Sequence, residues 1–181
     1  MGYMDRVIKL IELDELRLNA LECVRILDLP ECYLAAGFVR NLVWDNLHQK
    51  SAPTPLNDAD VIYFDLNESN PDKFKEYELT LKALLPALNW QVRNQALMHI
   101  RNNDQPYSSS LDAMSYWPEK ETAVGIRKLP NGNFDCIAVF GFESLFNLQV
   151  TYNPKRLKSV FEQRISSKGW LTKWCNLIVA L

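Results

Sequence analysis

Two stretches decide how this chain folds: AAGFVRNLVWD at residues 35–45 and NDADVIYFD at residues 57–65. The first continues a short apolar run, CYLAAG, that ends on Gly37, after which Val39, Leu42, Val43 and Leu47 recur with a period of about 3.6 residues, the spacing of one helix face. This predicts a strand, a glycine turn and a helix. In the second stretch, β-branched and aromatic residues follow Asp58 and Asp60, which predicts a buried strand with the two acids at its entrance. A spacing of two sends both carboxylates to one face of that strand.

Working outward, Leu13, Leu16, Ala20, Cys23, Val24 and Leu27 predict one amphipathic opening helix that closes near Pro30. Residues 49–57, with Pro53 and Pro55, read as a loop. Asn70 is the expected cap of a helix with Pro71 at its first position and Phe74, Tyr77, Leu81, Leu84, Leu85 and Leu88 as its apolar stripe. Residues 90–98 fit a strand or a helix, and periodicity leaves both open. Ser110 is a further expected cap, TAVGIRKL and FDCIAVF flank the hairpin signal Pro130-Asn131-Gly132-Asn133, and residues 154–168 return to a helical pattern. Such an order predicts a mixed α/β (α+β) fold, one mixed sheet flanked by helices. A single domain is expected, with an N-terminal helix (1–30), a core (31–150) and a C-terminal helix and tail (151–181).

Composition narrows the function classes. The formal net charge of −2 disfavours a long nucleic acid held by its phosphates. Four scattered cysteines and two histidines form no zinc-ligand spacing and suit a reducing compartment. No signal peptide or membrane-length apolar stretch is present, so a cytoplasmic protein is expected.

The chemistry suggested by the two deciding stretches is phosphate handling. The first turn of a helix has free N–H groups and the positive end of the dipole, and Gly37 lets a ligand approach the backbone, with Arg40 one turn inside as a charged donor. Asp58 and Asp60 offer hard oxygen ligands suited to Mg²⁺, which keeps waters and substrate phosphates in its remaining positions. Taken singly, a strand-to-helix glycine also serves as a plain turn, and an Asp-x-Asp pair as a polar strand entrance.

Together the two stretches resemble the nucleotidyltransferase superfamily, and AAGFVRN resembles the G-G-x-V-R-D pattern in the head domain of CCA-adding enzymes. Ala36 stands where that pattern has its first glycine, and Asn41 where it has aspartate. Over nearly the whole chain, AGFVRNLVWDNLH, LNDADVIYFD, VRNQALMH, PEKETAVGIR and SKGWLTKW resemble a small bacterial family of nucleotidyltransferase-like proteins, with Leu97 where an arginine is common. The resemblance implies transfer of a nucleoside monophosphate from an NTP to a hydroxyl of a small molecule or protein, with Mg²⁺ or Mn²⁺ held by Asp58 and Asp60. It also implies nucleotide contacts from Ala36, Gly37, Arg40, Asn41, Asn94 and His99. A third metal-binding carboxylate is usual in such sites and is not assigned, although Asp65, Asp112, Glu119, Glu121 and Asp135 are available. That gap leaves a nucleotide-binding or protein-interaction module without turnover as the alternative. Arg93 and Arg101 are further phosphate candidates, whereas Trp117, Trp170 and Trp174 read as core.

Overall fold

The computed structural model describes residues 1–181. Helices α1 (Tyr3–Glu12) and α2 (Glu15–Ile26) lead into β1 (Tyr33–Ala35), α3 (Gly37–Leu47), β2 (Ala59–Tyr63), α4 (Lys73–Leu84) and β3 (Trp90–Asn94). Then follow α5 (Gln95–Asn102), α6 (Ser110–Met114), β4 (Val124–Lys128), β5 (Phe134–Ala138), α7 (Glu143–Phe146), β6 (Gln149–Thr151), α8 (Lys158–Lys168), α9 (Trp170–Lys173) and β7 (Ile178–Ala180). No helix is long and apolar enough to cross a membrane.

Five strands form one mixed sheet in the order β3-β2-β1-β4-β5, with β2 and β3 parallel and the other neighbours antiparallel. This is the expected fold class. Alternation along the strands gives the sheet two unlike faces. Leu34, Ala59, Val61, Trp90, Val92, Val124 and Ile126 join a 27-residue core beneath the helices. The opposite face carries Tyr33, Ala35 and Ile62 in a smaller cluster. Register puts Asp60 on that second face, opposite Ala35 on β1 and Gln91 on β3, while Ala35 in turn faces Gly125 on β4. One end of the sheet therefore gathers the close of β1 and the openings of β2, β3 and β4.

Several local expectations are corrected. The opening helix is two helices, because the Asp14 side chain accepts the Arg17 N–H and caps a new start. Leu13 at the break is 85% exposed instead of buried, and Val7 and Ile11 form the buried stripe of α1. Asn70 accepts the Asp72 N–H in a turn, so α4 begins at Lys73. Ser109, not Ser110, caps α6, while Ser110 bonds Glu31 through its N–H and hydroxyl. Residues 90–98 are both things at once: a strand to Asn94, then a helix that Asn94 caps. The tail was not expected to form a strand, yet β7 pairs in parallel with β6.

The C-terminal segment is fastened to α3 through one carboxylate. Asp45, 6% exposed, accepts the Thr54 N–H and hydroxyl (2.6 Å each) and the Trp174 indole N–H (2.8 Å). Trp44 meets Trp174 and Trp170 edge to face at centroid distances of 5.1 and 6.0 Å. Asp45→Ala would leave the Thr54 N–H and the buried Trp174 indole without acceptors, and should cost about 2–4 kcal/mol in urea unfolding. A loss below about 1 kcal/mol would mean that the tryptophan packing alone holds this junction.

The turn between β1 and α3 is made by Ala36, with φ 54° and ψ −120°, a region that glycine adopts freely and a residue with a Cβ adopts only at a cost. Gly37 is the first helical residue and is not itself strained. Ala36→Gly should therefore leave stability unchanged or higher, as strain relief of about 1–3 kcal/mol offsets the lost methyl and the freer unfolded chain. The matched control, Ala35→Gly in the strand, should lose about 0.5–1 kcal/mol. Equal losses in both variants would show that position 36 carries no strain.

Candidate active site

The end of the sheet where these strands meet opens into a cleft with two chambers. The smaller, about 340 Å³, is bordered by the Ala36–Gly37 turn, Arg40 and Asn41 on one side and by Asp58 and Asp60 on the other. The larger, about 1030 Å³, extends over the second face of the sheet, past Gln91 and Arg93, to α5 and α8. Ala36, Asp58, Asp60, Thr122, Arg164 and Lys168 border both and mark the junction.

Local structure explains each placement. The antiparallel register of Ala35 with Asp60 makes the β1 turn and the β2 entrance neighbours. The first N–H groups of α3 lie at that turn and have no partner within the helix. Asp58 precedes β2 and accepts from Asn89 Nδ2 (2.6 Å), a residue just before β3. Burial pushes the Asp60 carboxyl above the usual carboxylate range, and the nearby Asp58 charge adds to this, with Arg40 opposing. Two carboxylates so placed gain from a cation between them.

Arg40 sits behind the turn and is only 6% exposed. Its Nη1 donates to Thr122 Oγ1 (2.6 Å) and its Nη2 to Asn41 Oδ1 (3.1 Å), while the guanidinium stacks over Trp170 at 4.4 Å. Burial pulls it down to about 10, still cationic at neutral pH, and its buried Nε has no partner.

Asn94 and His99 stand apart from the cleft lining. Asn94 is 4% exposed and spends its side chain on the Ala96 and Asp65 N–H groups, the Asp65 carbonyl and Glu68. His99 Nδ1 donates to the Ala96 carbonyl (2.8 Å), and the ring meets Tyr107 edge-on. Both act in local structure here, not as cleft groups.

Thr122, Arg164, Lys168 and Lys173 were not singled out from sequence, yet they border the smaller chamber. Arg164 reaches it from α8 through an ion pair with Glu119, a residue 1% exposed (Nε to Oε1, 2.5 Å). The only sequence signal for them lay in the blocks PEKETAVGIR and SKGWLTKW, which contain Thr122, Lys168 and Lys173. Trp170 and Trp174 are core, as read, at 3% and 1% exposure, whereas Trp117 is half-buried and borders the larger chamber. No group of three His, Cys, Asp or Glu side chains is placed to hold a metal ion. Opposite Asp60 on β3, where a third acid could stand, is Gln91.

Residues 22–179 match the sequence model of a nucleotidyltransferase family. A protein whose NMR structure is described as revealing a CCA-adding enzyme head domain is 34% identical, with a TM-score of 0.84 over 97% of this chain and 94% of that one. CCA-adding enzymes solved with CTP and with ATP are 16% and 17% identical, with TM-scores of 0.60 and 0.59 over 97% and 96% of this chain. Those alignments span 43% and 42% of the enzymes, and at that identity the likeness is one of fold. No curated protein matches the chain in sequence. The family match runs from within α2 to β7 and so takes in every element that borders the cleft, which makes this chain a member of the nucleotidyltransferase family.

Proposed function

We propose that the chain transfers a nucleoside monophosphate from an NTP to a hydroxyl of a small molecule or a protein, in a reaction that depends on Mg²⁺ or Mn²⁺. The observation that carries this reading is the Ala35–Asp60 register, which sets the α3 N-terminus and an Asp-x-Asp pair around one cleft. The Ala36–Gly37 backbone and Asn41 receive the triphosphate, and the buried charge of Arg40 adds to the positive potential behind them. Arg164, Lys168 and Lys173 border the same chamber and suit the departing pyrophosphate.

Asp58 and Asp60 fit a divalent cation, because both border the cleft and Asp60 is disfavoured as a bare anion by burial and by Asp58. A cation there would supply charge neutralisation for the phosphates and orient the attacking oxygen. In the transfer, the acceptor oxygen bonds to the α-phosphorus, the bond to the β-bridging oxygen breaks, and pyrophosphate departs with that electron pair. The hydroxyl proton passes to solvent. Four cysteines without disulfides support a cytoplasmic setting for this chemistry.

Gln91 in place of an acid opposite Asp60 favours a second reading, a module that binds nucleotide without turnover. A panel of NTPs with Mg²⁺ or Mn²⁺, read for binding and for pyrophosphate release, separates the two. Binding without release at any acceptor tried would favour the module; no binding at all would remove both readings.

Asp60→Asn tests the carboxylate directly. Removing one of two repelling charges should hold or slightly raise the melting temperature of the metal-free protein. In the wild type, Mg²⁺ with NTP at about 100 times Kd should add about 2.7 kcal/mol of stability, and the variant should lose most of that gain. Equal ligand-induced shifts in the two proteins would take Asp60 out of the metal site.

A further inference from the structure

The larger chamber has more positive charge than the nucleotide reading uses. Six cations border it, Arg93, Arg101, Lys155, Arg156, Arg164 and Lys168, against the two carboxylates Asp58 and Asp60. Three of the six are neutralised within the fold: Arg93 by Glu78 (2.6 Å), Arg156 by Asp104 (2.5 Å) and Arg164 by Glu119 (2.5 Å). Arg101, Lys155 and Lys168 have no acid partner. Lys168 borders both chambers and is accounted for by the triphosphate. Arg101 and Lys155 border the larger chamber alone, so the nucleotide phosphates at the Gly37 turn leave them unexplained.

The position of Lys155 is held. Its Nζ donates to Ser115 Oγ (2.8 Å) and lies 4.2 Å from the centroid of the Tyr116 ring, which fixes the ammonium on one wall. The neighbouring Arg156 anchors that wall through Asp104 and the Tyr116 carbonyl. Arg101, in the last turn of α5, borders the same chamber. Beside them Trp117, Leu157 (73% exposed) and Val160 (37% exposed) present apolar surface to the same space. Cations without an acid partner and apolar side chains facing one chamber suit a compact molecule that has a carbon skeleton and an anionic group.

We propose that the larger chamber is the acceptor site, and that the acceptor is a small hydroxyl compound bearing a phosphate or carboxylate group, which Arg101 and Lys155 receive. This rests on the nucleotidyl-transfer reading above and names the substrate class that it left open. The anionic group holds the molecule at the far side of the chamber, and its hydroxyl reaches the junction at Asp58 and Asp60. There the hydroxyl oxygen bonds to the α-phosphorus as pyrophosphate leaves with the broken bond's electron pair, and the proton goes to solvent. A nucleic-acid end is disfavoured, since the chain's net charge is −2 and a long polyanion gains from a basic surface that extends beyond one chamber.

The test is a binding titration on the full chain already saturated with a non-hydrolysable NTP analogue and Mg²⁺, using glycerol 3-phosphate, glycerate, glycerol and a short single-stranded RNA with a free 3′-hydroxyl. Glycerol 3-phosphate, glycerate or both should bind and glycerol should not, the difference between the two anions telling phosphate from carboxylate. The double variant Arg101→Gln/Lys155→Gln should weaken the bound anion by roughly tenfold or more, as expected when two charge-assisted contacts go, with analogue affinity unchanged. Failure of the analogue itself to bind would remove the nucleotidyl-transfer reading and this inference with it. With the analogue bound, three results would overturn the inference alone: neither anion binds, glycerol binds as well as they do, or the double variant binds them like the wild type. RNA binding more tightly than both anions would replace the small acceptor by a nucleic-acid end.

Discussion

The pairing of Ala35 with Asp60 is the constraint on which the cleft depends. Because β1 and β2 run antiparallel, the chain leaves β1 at the same sheet edge where it enters β2. A helix that starts at once after β1 must then present its N–H groups beside the acids that open β2. A one-residue turn does this here, and Ala36 makes it with a backbone conformation that costs energy for any residue with a Cβ. The parallel pairing of β3 and the antiparallel pairing of β4 bring Gln91 and Thr122 toward the same edge, completing the floor.

Charge in this molecule is distributed by burial more than by number. An excess of two acids over the whole chain coexists with a cleft in which cations outnumber carboxylates. Acids inside the fold make that possible: buried Glu119 steers Arg164, and half-buried Asp104 steers Arg156, each holding an arginine from the C-terminal third at the wall. Asp45 does the same for structure, since its acceptance of the Thr54 and Trp174 N–H groups closes the segment after α8 over α3. Such pairs are weak sources of net stability, but each specifies one arrangement of the groups it joins.

Asn94 and His99 show how a short motif misleads without its neighbours. In VRNQALMH both lie near a strand-to-helix change, the kind of place where ligands bind. The strand ends at Asn94, and the free N–H groups of α5 claim its side chain as a cap, while the Asp65 loop takes the rest. The imidazole is turned to its own helix backbone and to Tyr107. Gly37 and Asn94 each mark a strand passing into a helix; what differs is that one edge is open to a cleft and the other is filled by a loop.

The sequence by itself determined the local elements that carry the chemistry. The run CYLAAG with the helical period after Gly37, the Asp58-x-Asp60 spacing and the 130–133 hairpin are all set by contacts a few residues apart, so they were legible. The mixed sheet followed from their order. The side-chain caps Asp14 and Ser109 were missed, because adjacent polar residues compete for the same N–H groups and packing selects among them. Tertiary structure alone decided which residues share the cleft, since Thr122, Arg164, Lys168 and Lys173 come to it from segments far from Asp58 in the chain. It also decided that Arg40 would be buried against Trp170, and that Arg101 and Lys155 would face one chamber. Strand register and long-range ion pairs set these positions, and neither leaves a periodic mark in the sequence.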